Sequence, residues 1–332
     1  MAVPTLAAGE PLAQCLRSLQ AQTFERFDIV VIDNSGSGQV QTTCPRTRVI
    51  SNARNVGFGS AVNQAANDSN ATYLATLNDD AVADPQWLQK LVEAADANPK
   101  AGMFASQVRL PQASSGAPIV LDSAGMLIAQ DGTGKQRGHL EQPGQYDDAS
   151  QALFPSGSAA LYRRAMLDEI GLFDEMFFIY CEDVDLGLRA RWAGWECRYV
   201  RDAIVEHSYS VSAGRASPLK AYYVERNRLY TILKNFPWGM LIGAPFASMA
   251  RYLWHVISLD TGKGKTAEFR EAGHTFALLP FLVLRAHAAA ALRLPRLLRE
   301  RSRIRKSRRI TAKQFADLLE KHSISVRQVA TL

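Results

Sequence analysis

Cysteine is scarce in this chain: Cys15, Cys44, Cys181 and Cys197 are the four in 332 residues. Their spacings give neither a CxxC pair nor the framework of a small secreted domain. A disulfide scaffold is therefore excluded, and reduced thiols in a cytosolic compartment are expected. No signal peptide is expected either, since Met1-Ala2-Val3-Pro4-Thr5 carries neither the charged nor the apolar region that one needs. Apolar runs stay short of membrane-spanning length. Trp238 to Ala250 ends at Arg251, and Phe276 to Leu294 is interrupted by Arg285 and His287, so the chain is expected to lie on a bilayer and not to cross it. No internal repeat is found. Disorder is excluded by 47% hydrophobic and 21% charged residues, which describe one large domain or two of ordinary size.

Charge is unevenly placed. The net charge is +6, and Arg296 to Arg309 holds eight Lys/Arg against Glu300 alone. Most acids fall in the first two-thirds. This asymmetry predicts an anionic partner for the C-terminal part, a membrane surface or nucleic acid. From about Asn235 the pattern turns helical, apolar and basic, with Arg285, Arg293, Arg296 and Arg299 on one side of a helix that Pro295 is expected to kink. Such a helix suits an anionic membrane. No aromatic platform or recognised motif supports nucleic acid, which is not expected.

The first half alternates strand and helix patterns. Leu12, Cys15, Leu16 and Leu19 recur at helical spacing before the buried run Asp28 to Asp33. Short strands are predicted at Arg48–Ile50, Thr72–Leu77 and Met103–Leu110, and helices at Ser60–Ser69 and from Asp84-Pro85 to about Ala97. Strand–helix alternation with apolar strands predicts a mostly parallel sheet covered on both faces. Pro111 to Ala152, rich in Gly, Gln, Ser and Asp, reads as loops and weak strands, a mobile flap. Later strands are predicted at Cys197–Val200 and at Ala203–Glu206, the latter ending in His207.

Ligands bind beyond the carboxyl ends of strands in such sheets. Asp33, the Asn55–Gly57 turn and Asn78-Asp79-Asp80 all fall there. A second acidic group, Glu182-Asp183-Val184-Asp185, follows the apolar aromatic run Phe177 to Tyr180 at the mouth of a helix. Carboxylates crowded in a poorly hydrated place raise one another's pKa, which is how a protein makes a general base at neutral pH. The two clusters together predict one site with a metal and a base.

These motifs resemble the family 2 glycosyltransferases, in particular their rhamnosyltransferase-like branch. The resemblance runs from about Pro4 to Tyr230. It rests on Pro4-Thr5, Val31–Ser35, Asn55–Gly59, Leu77–Asp80, Gly171–Glu175, Cys181–Leu186, Gly194-Trp195 and His207. It implies a GT-A-type α/β catalytic domain over residues 1–234, followed by a helical, membrane-associating region over 235–332. It also implies a metal-dependent, inverting transfer of rhamnose or another hexose from a dTDP- or UDP-sugar. The implied acceptor is a polyprenyl-diphosphate-linked glycan, at the cytoplasmic face of the membrane.

By this resemblance Asp183 is the base and Glu182 holds the acceptor or tunes the base. Asp80 and His207 are the implied ligands of Mg²⁺ or Mn²⁺, hard cations that prefer oxygen. Asn78 stands where the family's Asp-x-Asp motif has its first acid. Asp33 is expected to accept a pyrimidine N3–H, with a cap on the following turn as its alternative; Pro4, Thr5, Asn55 and Gly57 are expected to shape the base and ribose pocket, and Asp79 to meet the ribose instead of the metal. Arg226 and Arg228 are offered to the diphosphate or to surface ion pairs. Ser158 and Trp195 are assigned to the acceptor, Trp195 with packing in the core as its alternative. Asp185 reads as part of a helix-start interaction. Family members begin with a longer apolar strand before Pro-Thr, so the first strand here is either very short or cut. Two other readings compete: a silent nucleotide-sugar or glycolipid binder, and a nucleotidyltransferase, whose phosphate loop Pro4 to Glu10 does not supply.

Overall fold

The computed structural model describes residues 1–112, 114, 116–146, 151–208, 217–258, 265–275 and 277–331. The chain forms two compact units. Met1–Met126, Gln136–Phe178 and Trp195–Tyr209 make the first; Leu127–Lys135, Ile179–Gly194 and Ser210–Leu332 make the second.

The first unit is built on a nine-stranded mixed sheet. Its strands are β1 (Ala2–Thr5), β2 (Ile29–Asp33), β3 (Thr47–Ser51), β4 (Tyr73–Leu77), β5 (Ala81–Ala83), β6 (Ala101–Arg109), β7 (Leu121–Ser123), β10 (Ala159–Arg163) and β11 (Glu196–His207). They run in the order β3-β2-β1-β4-β10-β6-β11-β5, with β7 alongside β6. The remaining strands, β8 (Met126–Ile128) and β9 (Gly134–Gln136), pair with each other. β1, β2, β3 and β4 are parallel, β10 runs against β4 and β6, and β11 is parallel to β6. All five residues of β2, Ile-Val-Val-Ile-Asp, are buried, as a strand covered on both faces requires. Helices α1 (Glu10–Gln20), α2 (Phe58–Asn67), α3 (Trp87–Ala97) and α4 (Arg164–Ile170) flank the sheet. α1 turns Leu12, Cys15, Leu16 and Leu19 inward, where they join the core with Val3, Val31, Leu77, Trp87 and Phe104.

Several expectations change here. The first strand is indeed short, four residues, yet Ala2 and Val3 are fully buried and β1 pairs on both sides. The helix expected from Asp84 starts at Trp87, because Asp84 closes a turn first: its Oδ1 accepts Gln86 N–H (2.9 Å). The two late strands are one, β11, with a register shift between Val200 and Ile204 that the single residue run conceals. The stretch read as a flap is largely structured. Leu121, Asp122 and Ser123 are almost fully buried in β7 against β6.

The second unit is helical: α5 (Glu182–Trp192), α6 (Pro218–Asn235), α7 (Trp238–Ser258), α8 (Lys265–Glu271), α9 (Leu278–Lys306), α10 (Ala312–Lys321) and α11 (Val326–Thr331). Ser217 caps α6 by accepting Lys220 N–H, with Pro218 at its first position, and Thr311 and Gln314 form a capping box on α10. α5 is fastened to α6 through Asp185, which is fully buried. Its carboxylate accepts from Lys234 Nζ (2.8 Å), Asn235 Nδ2 (2.9 Å) and Arg189 Nε (2.8 Å). Trp192 stacks on Phe315 at 3.9 Å between ring centroids. A second buried network joins α6, α7 and the 127–135 segment. Arg251 bonds Asp131 (2.6 Å) and Glu225 (2.7 Å), while Arg228 bonds Glu225 and the Asp131 carbonyl (2.6 Å). Two acids and two guanidiniums balance there, which is the condition under which buried charge is tolerated. Arg228, 1% exposed, is thus committed to this network and is not offered to a ligand.

The expectation that no run has membrane-spanning length is corrected by α9. Its 29 residues continue through Pro295, and among the described residues it is the one helix long and apolar enough to cross a membrane by length and composition. Arg285 and His287, which interrupt the apolar run, are within what such a helix tolerates.

Candidate active site

The parallel order brings the carboxyl ends of β1, β2, β4 and β11 to one edge of the first unit, and the predicted donor residues come with them. β1 ends in Thr5, β2 in Asp33 and β11 in His207, while Asn78-Asp79-Asp80 follows β4. β10 runs the other way, so its amino end meets the same edge. Ser158 stands there, its carbonyl accepting Asn78 N–H (2.9 Å).

His207 is the hub of this edge. Its Nε2 is 3.1 Å from Asp80 Oδ1 and 3.2 Å from Asn78 Nδ2. On the other side its Nδ1 is 2.9 Å from Asp122 Oδ2. Asp122 in turn lies 3.3 Å from His139 Nδ1. Burial disfavours the charged imidazole, but the hydrogen bonds to Asp122 and Asp80 outweigh it and push its pKa up to about 9. Asp122 goes the opposite way: burial alone raises it, and hydrogen bonds from His139 and His207 bring it below the usual carboxylate range. A proton held by His207 therefore sits between carboxylates where a divalent cation is expected.

The residues fit such a cation. Two ligands about 2.1 Å from a metal at a right angle are about 3 Å apart, close to the Asp80–His207 separation. Asp122 fixes the ring through Nδ1, so Nε2 is the nitrogen turned toward Asp80, the carboxylate–histidine arrangement that orients metal ligands. Among the described residues no group of three His, Cys, Asp or Glu has ligand spacing. One carboxylate and one imidazole would leave the rest of a cation's shell to phosphate oxygens and water.

Asp79 is held separately. Its Oδ2 accepts the Thr5 hydroxyl at 2.5 Å, and burial raises its pKa. Asp33 is fully buried; its Oδ1 accepts Ser35 N–H (2.9 Å) and its Oδ2 Val40 N–H (3.4 Å). Burial works to raise its pKa, and these bonds bring it below the usual range. The capping role is therefore real, and each carboxylate oxygen retains acceptor capacity. Pro4 lies inside β1. Asn55 Oδ1 accepts Gly57 N–H (2.8 Å), and Gly57 (φ 91°) is required where it is: a Cβ there would stand 2.3 Å from the Phe178 carbonyl, which accepts Phe58 N–H. Trp195 is not brought to this edge. It precedes β11, whose first residue pairs with Ala101 at the start of β6, and its indole donates to Glu169 (3.1 Å).

The second unit carries the other predicted acids. α5 begins at Glu182, and the residues just before it hold unusual backbone: Phe178, Tyr180 and Cys181 have φ of 66°, 67° and 65°. Left-handed conformations at bulky residues cost energy and collect at functional sites. Asn227 of α6 donates to the carbonyls of Ile179 (2.8 Å) and Tyr180 (2.7 Å), which fixes this turn. Glu182 is 7% exposed, and among the described residues its Oε2 has no hydrogen-bond partner. Burial, then the charge of Asp183, drives its pKa well above the usual carboxylate range. Asp183 is half-buried, with Oδ1 accepting Val184 N–H (2.8 Å). The perturbed acid is thus the residue before the expected base. Burial pushes the Cys181 thiol up from its ordinary pKa. Arg226 is half-buried, its guanidinium over the rings of Tyr223 (4.5 Å) and Tyr230 (5.0 Å).

Asp122 and His139 escaped the sequence reading. Their stretch has no strand or helix period, and a three-residue strand such as β7 leaves none to find.

Known proteins resemble this chain in sequence and in fold. The model of "Glycosyl transferase family 2" matches residues 1–171, and that of "Glycosyl transferase family group 2" matches 141–291. An N-acetylglucosaminyl-diphospho-decaprenol L-rhamnosyltransferase of Mycobacterium tuberculosis is 31% identical over 248 residues, 66% of this chain and 79% of that protein. The O-antigen chain rhamnosyltransferase RfbN of Salmonella typhimurium is 25% identical, covering 63% and 65%. Among solved structures, GalNAc-T7 with UDP, GalNAc and Mn²⁺ gives a TM-score of 0.60 at 14% identity, over 75% of this chain and half of that one. S. aureus TarS 1-349 in complex with UDP-GlcNAc gives 0.52 at 16% identity, over 97% and 91%. The fold is GT-A, as the sequence resemblance implied, and the chain belongs to glycosyl transferase family 2.

Proposed function

We propose that this chain is a metal-dependent, inverting transferase. It moves rhamnose or another hexose from a dTDP- or UDP-sugar to a hydroxyl of a polyprenyl-diphosphate-linked glycan. It would work on the cytoplasmic face of the membrane, with residues 1–234 carrying catalysis and 235–332 meeting the lipid. The observation that carries the reading is the Asp80–His207 pair on the edge that also holds Asp33, Thr5 and Asp79. The rhamnosyl group and lipid acceptor are carried over from the likeness to the mycobacterial enzyme.

Asp80 and His207 would hold Mg²⁺ or Mn²⁺, which when bound neutralises charge on the departing diphosphate. Asp33 accepts the pyrimidine N3–H, and Asp79, fixed by Thr5, meets the ribose. Pro4, Asn55 and Gly57 shape the walls of that pocket, and Arg226 offers charge to the diphosphate. Asp183 takes the proton from the acceptor hydroxyl as its oxygen attacks the anomeric carbon. The C–O bond to the nucleoside diphosphate breaks on the opposite face, and its electron pair leaves with the diphosphate. Glu182, protonated in its buried position, donates a hydrogen bond to the acceptor. Ser158 serves the acceptor from the amino end of β10, a role its place on the edge supports better than that of Trp195.

Thermal melting with a panel of nucleotide sugars tests this. A Mn²⁺-dependent rise with dTDP- or UDP-sugars is expected, followed by sugar transfer to a polyprenyl-diphosphate N-acetylglucosamine acceptor. No rise with any donor, with or without Mn²⁺, would refute the reading.

A further inference from the structure

The outward face of α7 is assembled inside out. Trp238, Ile242, Phe246, Met249, Leu253 and Ile257 recur every three or four residues and are 55–76% exposed. The buried face holds Ala244, Ala247, Ser248, Arg251 and Ser258, with Arg251 clasped by Asp131 and Glu225. A helix of a protein surrounded by water places these two sets the other way round. α7 contains no Asp or Glu, so nothing acidic interrupts the stripe. An apolar surface six large side chains long marks a contact with another apolar phase.

The neighbouring charge says which phase. α9 exposes Phe281, Leu284 and Leu292 in its first half, then Arg293, Arg296, Arg299 and Arg303. Arg301 of α9 lies over the Trp238 ring at 4.2 Å, so the start of the α7 stripe adjoins the basic half of α9. A tryptophan at the end of an apolar stripe, beside a row of arginines, matches the boundary between acyl chains and anionic headgroups. A second copy of the chain would meet the stripe with the same arginines, like charge against like.

We propose that the α7 stripe is the surface by which this protein inserts into an anionic bilayer, with the exposed arginines of α9 pairing with headgroup phosphates. The choice of lipid as occupant rests on this charge together with the lipid-linked acceptor reading. The basic helix alone is thus not the anchor. Its basic half supplies the electrostatic part, and α7, together with the exposed apolar first half of α9, supplies the apolar part.

The test is sedimentation of the full chain with vesicles of phosphatidylcholine and phosphatidylglycerol, without donor or acceptor. Replacing Ile242→Ser, Phe246→Ser and Leu253→Ser together should lower partitioning about a thousandfold or more, given the transfer energies of three large side chains. The melting temperature should not fall, because all three are exposed. Brominated lipid should quench the wild-type protein more than a Trp238→Phe variant. Undiminished vesicle binding by the triple variant would overturn the proposal. So would a wild type that ignores vesicles and forms a dimer which the triple variant abolishes. Transfer to a water-soluble, short-chain acceptor separates the two readings: if it persists while vesicle binding fails, the membrane face falls and the transferase stands.

Discussion

Replacing Asp185 with asparagine keeps the shape of the side chain and removes the charge that fastens α5 to α6. The carboxylate is fully buried, and Lys234 and Arg189, themselves almost entirely buried, both depend on it. A neutral amide in its place would withdraw the carboxylate with which both cations pair in a dry site. Breaking a buried pair in this way costs about 3–5 kcal/mol. The titration of Asp185 gives an independent figure. Burial works to raise its pKa, yet the charges of Lys234 and then Arg189 pull it from 3.8 down to about 2. At about 1.4 kcal/mol per unit this difference is worth about 2 kcal/mol. The value is smaller because a protonated Asp185 still fills the site and keeps part of its hydrogen bonding. The folded-state pKa is the lower one, so this stability is fully present above pH 3.8 and is lost as pH falls toward 2. Urea unfolding followed by the fluorescence of buried Trp192 measures both effects. Asp185→Asn should lose several kcal/mol at pH 7, the gap to wild type should narrow below pH 4, and adding Lys234→Met should recover at least half. A loss under about 1 kcal/mol at pH 7, or a double variant no better than the single, would refute the reasoning.

Asp183→Asn should lower turnover by about 10²–10⁴ while donor binding, followed by calorimetry, stays within twofold; turnover at the wild-type rate would remove the base assignment. Asp80→Ala should abolish the Mn²⁺-dependent part of donor affinity, and an unchanged metal response would remove it as a ligand. Asp122→Asn should weaken Mn²⁺ binding about 10–100-fold by freeing the His207 ring. Electron paramagnetic resonance of free Mn²⁺ reads this without turnover, and wild-type affinity would show that Asp122 only packs.

What the sequence revealed and what it hid divide along physical lines. The placement of Asp33, Asp80 and His207 at one edge was legible because each ends or follows a buried apolar run, and parallel strands deliver such ends together. Asp122 was hidden because β7 exists only through its pairing with β6, and three residues have no period of their own. The left-handed backbone at Phe178, Tyr180 and Cys181 was equally silent, since none is a residue that favours it. The α7 stripe was visible as apolar residues, but hydrophobicity does not say whether the partner is the protein's own core. Trp195 was read for its chemistry; its address at the amino end of β11 is set by strand direction, which a motif does not carry.

The position of β11 has a consequence for how the chain is made. It lies between β6 and β5, and among the described residues β5 has no other neighbour in the sheet order. Ala81–Ala83 therefore leaves the ribosome long before Glu196–His207, the strand that completes its ladder. Sheet closure must wait for a partner more than a hundred residues downstream, and contacts of that separation form slowly. Until then the β6 side destined for β11 is an open template for wrong pairing. Synthesis slowed between Ala83 and His207 should thus favour aggregation, whereas a pause after His207 should not.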